Sequence, residues 1–101
     1  MTIKEAKQNG STVIVKYGNS SSSFNNSKLI GYTPNALFII QNNKTIYTYN
    51  ERNGSLVVCS SRIDFKSNST AKVCGNTLEV KVGTTRQIYD EKGNKIKTIC
   101  G

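Results

Sequence analysis

The sequence predicts an all-β fold in which two related antiparallel three-stranded meanders pack as a small sandwich or barrel. Ile, Val and Thr together make up 27 of the 101 residues, whereas Ala, Leu and Met make up eight. β-Branched side chains fit a pleated strand better than a helix. Asn and Ser contribute another 23 residues, which indicates many turns. No window keeps a 3.6-residue period, and only residues 2–8 fit one helical turn.

Apolar and alternating runs place the strands in order along the chain. The predicted strands are residues 12–17, 28–32, 36–41, 44–49, 55–59, 62–65, 70–74, 77–82, 85–89 and 95–100. Asn42 with Asn43 and Gly75 with Asn76 are predicted hairpin turns, because Asn and Gly tolerate positive φ. The Ser-rich segment 18–27 is predicted to be a mobile loop, and a second loop is expected at 50–54.

An internal repeat relates residues 35–59 to residues 76–100. Leu37 matches Leu78, Tyr49 matches Tyr89 and Cys59 matches Cys100. A three-stranded meander cannot bury its apolar face alone, so the two units are expected to pack together in a single domain, 1–101. The strands at 12–17 and 28–32 are read as a degenerate third unit.

The segment Asp90, Glu91, Lys92, Gly93 predicts a type I turn followed by a left-handed residue. Gly93 supplies that left-handed position, and Tyr89 stands at the end of the preceding strand. This motif is interpreted as structural.

Two stretches resemble short phage- and prophage-type repeat proteins. They are Gly31, Tyr32, Thr33 followed by Thr45–Ile46–Tyr47–Thr48–Tyr49–Asn50–Glu51, and Ile88–Tyr89–Asp90–Glu91–Lys92–Gly93. Those proteins repeat Gly-Tyr-Thr, a strand, and then Ile-Tyr-x-Tyr-Asp-Glu-Lys-Gly. The likeness spans residues 28–100, but the second unit lacks a clear Gly-Tyr-Thr. The resemblance implies an all-β repeat from a mobile element and implies no chemistry.

Enzymatic chemistry is not expected. The chain has no His, and its three Cys have the wrong spacing for a metal site. None of its six carboxylates is paired for acid–base work, and no phosphate-binding Gly loop is present. The three Cys are interpreted as structural, with Cys59 and Cys100 in the core and Cys74 exposed. We therefore expect no catalytic residue, no metal and no cofactor.

The same features suggest where the protein resides. No apolar run approaches the roughly 20 residues that span a membrane, and no leader is visible at the start of the sequence. An odd number of Cys does not suggest a disulfide framework. The expectation is a cytoplasmic protein without membrane contact.

Positive charge is the remaining signal. The net charge is +8, and each half of the chain contributes +4, so the charge is spread over the folded body. Strand alternation predicts a basic sheet surface formed by Lys72, Lys81, Arg86, Lys95 and Lys97. Tyr47 and Tyr49 share one strand face and are candidates for stacking on bases. The alternatives are that the tyrosines cover a thin core and that the charge serves solubility.

The first functional hypothesis is a small non-enzymatic binding module. Its expected partner is an acidic protein surface or a protein–nucleic-acid complex, and the phage-like character suggests a host protein that it inhibits. The second hypothesis is direct nucleic-acid binding through the lysines and tyrosines. The third is a structural subunit that forms a homo-oligomer through its strand edges.

Overall fold

A computed structural model describes residues 3–42, 44–52, 55–65 and 69–100, and these contain eleven β-strands and no helix. The strands are β1 (Ile3–Asn9), β2 (Thr12–Tyr17), β3 (Ser20–Asn25), β4 (Ser27–Tyr32), β5 (Ala36–Gln41), β6 (Thr45–Arg52), β7 (Ser55–Asp64), β8 (Ser69–Cys74), β9 (Thr77–Val82), β10 (Thr85–Tyr89) and β11 (Lys95–Ile99).

The strands form three consecutive antiparallel meanders. The N-terminal sheet has the order β1-β2-β3, the middle sheet β4-β5-β6-β7, and the C-terminal sheet β11-β10-β9-β8. Every sheet is open, with two edge strands. The all-β prediction is confirmed, and of the two predicted arrangements the sandwich is the one observed. The sequence predicts two meanders of three strands each. The structure instead has three meanders, one of three strands and two of four strands.

The middle sheet lies between the other two, and its strand β5 is buried on both faces. Ala36, Phe38 and Ile40 pack against Leu78 and Val80 of the C-terminal sheet. On the opposite face, the core side chains are Leu37 and Ile39 of β5 with Ile3, Val13, Val15 and Tyr17 of the N-terminal sheet. A strand that is covered on both sides reads as a continuous apolar run, which explains the composition of β5.

The N-terminal sheet corrects two predictions. Residues 3–9 form strand β1 and not a helical turn, because they pair along β2 from Ile3 to Asn9. The segment 18–27, predicted to be a mobile loop, contains strand β3, whose serines pair with the apolar strand β2. The Tyr17 hydroxyl also lies 2.7 Å from Ser22 Oγ. Pairing with an apolar neighbour outweighs the weak strand preference of a serine run.

Close contacts join the N-terminal and C-terminal sheets to strand β4. The Gln8 amide donates to the Ser27 carbonyl at 2.9 Å and accepts from the Leu29 N–H at 2.6 Å. On the side of the C-terminal sheet, a Cβ on Gly31 would lie 2.6 Å from Val73 Cγ2. Only glycine therefore lets β4 approach β8 this closely.

Two of the three residue pairs matched by the internal repeat occupy equivalent places. Leu37 and Tyr49 of the middle sheet face the N-terminal sheet, and Leu78 and Tyr89 of the C-terminal sheet face the middle sheet. In each pair the side chain points toward the sheet that precedes its own along the chain. A strand precedes each repeated unit, β4 in one case and β8 in the other, so each sheet has four strands.

Strands β6 and β7 of the middle sheet are longer than the sequence predicts. Strand β6 continues to Arg52 through the loop predicted at 50–54, of which residues 53 and 54 lie outside the described residues. The predicted strands 55–59 and 62–65 form one strand, β7, which continues through a bulge between Val58 and Arg62. Asn42 has the positive φ of 57° expected of the hairpin turn, whereas Asn43 lies outside the described residues.

Candidate functional site

The outer side of the C-terminal sheet, which faces away from the middle sheet, carries most of the predicted basic residues. Strand register aligns two rows of side chains across it. The first row is Lys72, Glu79, Ile88 and Lys97, and the second is Thr70, Lys81, Arg86 and Ile99. Lys72, Lys81, Arg86 and Lys97 are exposed. We call these four residues the basic face.

One carboxylate lies within the basic face. Glu79 Oε2 is 3.3 Å from Lys72 Nζ, and Glu79 Oε1 is 3.9 Å from the Arg86 guanidinium. The Glu79 side chain is only 14% exposed, while those of Lys72 and Arg86 are 67% and 52% exposed. Ion pairs whose cations are this exposed to solvent contribute little stability. Their consequence is that Lys72 and Arg86 are oriented beside each other, and the face keeps four cations against one anion.

Lys95 does not follow the simple alternation on which its place was predicted. The register of β10 and β11 shifts between Ile88 and Tyr89, so that Lys97 lies beside Ile88 but Lys95 lies beside Tyr89. Tyr89 points into the core between the sheets. A β-bulge changes the direction of the following side chains, and alternation alone therefore does not put Lys95 with Lys97 on the basic face.

Aliphatic side chains lie between the cations. Ile88 is half-buried in the first row, and Ile99 is 38% exposed in the second. Ile96, at the bulge of β11, is 57% exposed. The outer side of the C-terminal sheet is therefore both cationic and partly apolar.

Tyr47 and Tyr49 lie elsewhere. Both are half-buried on the side of the middle sheet that faces the N-terminal sheet, beside Ile39 and Leu37. The Tyr49 ring centroid is 4.8 Å from that of Phe24, and the Arg62 guanidinium lies 5.4 Å from the Tyr47 ring centroid. Burial raises the pKa of the Tyr49 hydroxyl. Two sheets separate these tyrosines from the basic face, so the predicted residues do not form one site.

A second surface feature, which sequence reasoning missed, lies where the middle and C-terminal sheets meet. The Asn50 amide donates to the Asn35 carbonyl at 3.1 Å and to the Glu91 carbonyl at 2.8 Å. Thr33 Oγ1 donates to the Glu91 carboxylate. The bonds to Glu91 hold the 90–94 turn against β6 and against the segment between β4 and β5. Beside the turn is an open cleft of about 290 Å³, lined by Asn50, Arg52, Val57, Val58, Cys59, Lys92 and Asn94.

The cysteines differ in their surroundings. Cys59 is half-buried in this cleft, and its thiol lies 3.0 Å from Asn50 Oδ1. Burial raises the pKa of the Cys59 thiol, while Arg52 and Lys92 oppose that effect. Cys74 is exposed, as predicted. Cys100 is exposed and not in the core, because it follows the end of the edge strand β11.

Within the described residues, no group of three Cys, Asp or Glu side chains converges as metal ligands would. The same part of the chain contains no helix with the length and apolar character to cross a membrane. Neither protein-family models, nor the curated proteins, nor the solved structures give a match to the chain.

Proposed function

We propose that the protein is a non-enzymatic binding module whose basic face docks on an acidic surface of a partner protein. The observation that carries the proposal is the concentration of four exposed cations and one carboxylate on the outer side of the C-terminal sheet. Charge of one sign on a flat surface attracts an oppositely charged partner and speeds its association.

The neighbouring aliphatic side chains favour a protein over a nucleic acid as the partner. Ile88 and Ile99 lie beside the cations, and protein interfaces combine apolar contact with a charged rim. Single-stranded nucleic acids are bound by aromatic side chains that alternate with basic ones. Tyr47 and Tyr49, which would supply the stacking, lie two sheets away from the basic face.

The resemblance to phage-type repeat proteins extends the proposal. A small basic module of a mobile element acts here by covering an acidic surface of a host protein, or of a host protein–nucleic-acid complex, and thereby inhibiting it. Its place of action is the cytoplasm, where three free Cys stay reduced. This part of the proposal rests on the resemblance and on the cysteine count.

The test is a fluorescence-anisotropy titration with a labelled twelve-residue glutamate peptide and with labelled single- and double-stranded DNA and RNA. We expect the peptide to bind more tightly than any nucleic acid, with affinity that falls between about 50 and 200 mM salt. The double variant Lys81→Glu, Lys97→Glu should lower peptide affinity at least tenfold.

The matched control reverses two exposed lysines of β1, Lys4→Glu and Lys7→Glu, which gives the same net charge and leaves the basic face intact. Its peptide affinity should stay within about twofold of the parent. Equal losses in both variants would show that total charge alone is responsible. Tighter binding of DNA or RNA than of the peptide would support direct nucleic-acid recognition. If neither the peptide nor the nucleic acids bind at the lower salt, the positive charge serves solubility and not binding.

A further inference from the structure

Strand β7 (Ser55–Asp64) forms an open edge of the middle sheet. Its one neighbour in the strand order is β6. Val57 and Val58 are 44% and 40% exposed, and they lie on opposite faces because Val57 pairs with Asn50 and Val58 with Tyr49. An edge strand offers unpaired backbone N–H and C=O groups, and exposed apolar side chains on it favour pairing with another strand.

Of the other edge strands, β4, β3 and β11 are each less suited to an added strand. Strand β4 is covered where it packs against β1 and β8. Strand β3 consists mainly of Ser, which gives an added strand little apolar surface to bury. Strand β11 carries Lys95 and Lys97, and lysines on an edge discourage pairing. Strand β7 has no Lys, and its bulge beyond Val58 limits the regular edge to residues 55–58.

Two cations stand at the start of this edge. Arg52, at the end of β6, and Lys92, in the 90–94 turn, line the 290 Å³ cleft together with Val57 and Val58. Both are exposed, and neither forms an ion pair with another described residue. Three carboxylates lie nearby: Asp90 accepts the N–H groups of Lys92 and Asn94, Glu91 accepts the Thr33 hydroxyl, and Glu51 lines a second cleft together with Glu91, Arg52 and Lys92.

We propose that residues 55–58 of β7 accept an extended acidic segment of a partner protein as an added strand, with an Asp or Glu side chain of that segment seated between Arg52 and Lys92. The main-chain ladder supplies affinity, Val58 contacts the segment's apolar side chains on one face, and the cleft beside Val57 selects an acidic side chain on the other face. This surface differs from the basic face and does not depend on it.

Electrostatic repulsion disfavours a second copy of this chain as the strand added to β7. The chain carries a net charge of +8. Antiparallel pairing of two β7 strands would bring a second set of Arg52, Arg62 and Lys92 toward the first. Like charges that face each other across paired strands are destabilising, whereas an acidic segment neutralises them.

The probe is an N-acetylated, C-amidated peptide of alternating Val and Glu, eight residues long. We expect it to slow hydrogen exchange of backbone amides within residues 55–58 at least tenfold, because a ladder protects them. It should also slow alkylation of Cys59, with Cys74 and Cys100 as internal references. A peptide with the same sequence but with every backbone amide N-methylated keeps the charge, has no N–H group to donate to a ladder, and should protect neither.

Two variants separate the possible outcomes. Arg52→Glu with Lys92→Glu should lower peptide affinity at least tenfold, whereas Lys81→Glu with Lys97→Glu on the basic face should leave it unchanged. The proposal is overturned if protection maps elsewhere, if the N-methylated peptide binds equally well, or if only the basic-face variant loses binding. It is also overturned if sedimentation gives a dimer mass that Val57→Lys reduces to the 11.1 kDa monomer.

Discussion

Thr48 shows how a single buried atom affects the stability of this small core. Its side chain is fully buried opposite Phe38 on β5, and its hydroxyl has no hydrogen-bond partner among the residues that the structure describes. A polar group taken out of water without a partner costs about 1–3 kcal/mol. Thr and Val have nearly the same shape, so the cost can be removed without changing the packing.

We therefore expect Thr48→Val to raise the free energy of unfolding by about 1 kcal/mol, measured by urea denaturation. Thr48→Ser is the matched control: it keeps the hydroxyl, deletes the methyl group and should destabilise the protein by about 1 kcal/mol through the space left behind. A Val variant less stable than the parent would mean that the hydroxyl does have a partner, such as a bound water.

At the scale of single elements, a strand with a clear apolar or alternating pattern can be predicted from the sequence. A strand that is stabilised mainly by pairing with a neighbouring strand cannot. Strands β2 and β9 stand at the residues that the pattern predicts, because their side chains alone determine which face is buried. Strand β3 consists mainly of Ser and exists through its ladder with β2, a tertiary contact that no local signal records.

The residues of the candidate site likewise include some whose positions can be predicted from the sequence and some whose positions cannot. Alternation along β9 places Lys81 on the outer side of the C-terminal sheet, as predicted. It fails for Lys95, because the bulge in β11 is visible only in the pairing with β10. Alternation also does not show that Tyr47 lies far from the lysines. The sheet that covers each face of β6 is determined by how whole sheets pack together. Asn50 and the cleft beside it depend on the same packing.

The 90–94 turn provides a prediction about how much a single turn contributes to stability. Gly93 has a φ of +83°, as the sequence predicts, and Asp90 Oδ1 accepts the N–H groups of Lys92 and Asn94, both at 2.9 Å. Asp90→Ala removes this acceptor and should lower the free energy of unfolding by about 1–2 kcal/mol. Asp90→Asn keeps the oxygen and should lose less than half of that amount. Equal losses in urea denaturation would show that the charge and not the acceptor matters.

At the scale of the whole molecule, β5 joins two cores into one stack. Phe38 belongs to the core shared with the C-terminal sheet, and Leu37, the next residue, belongs to the core shared with the N-terminal sheet. A change in either core is therefore transmitted to the middle sheet, on which both outer sheets depend. Burial opposes the ionisation of one tyrosine at each core: Tyr89 in the core shared with the C-terminal sheet, and Tyr49 against the core shared with the N-terminal sheet.

This arrangement predicts that the protein loses stability in alkaline solution. Burial raises the pKa of Tyr49 and of Tyr89 above 10.0, with Tyr47 adding to the shift for Tyr49 and Asp64 for Tyr89, and burial raises the pKa of Cys59 above 9.0. The folded state therefore holds these protons more tightly than the unfolded state. The resulting stabilisation is fully present below the unfolded pKa values and is lost as pH rises through the folded ones.

Urea denaturation between pH 7 and pH 11 measures this effect. The free energy of unfolding should begin to fall above about pH 9, where the unfolded thiol ionises, and fall more steeply above about pH 10 with the tyrosines. The double variant Tyr49→Phe, Tyr89→Phe lacks both hydroxyls, so its curve should be flatter above pH 10. Because the two rings lie in different cores, each single variant should remove part of the slope, and the two parts should add. An unchanged slope in the double variant would assign the alkaline loss to other groups.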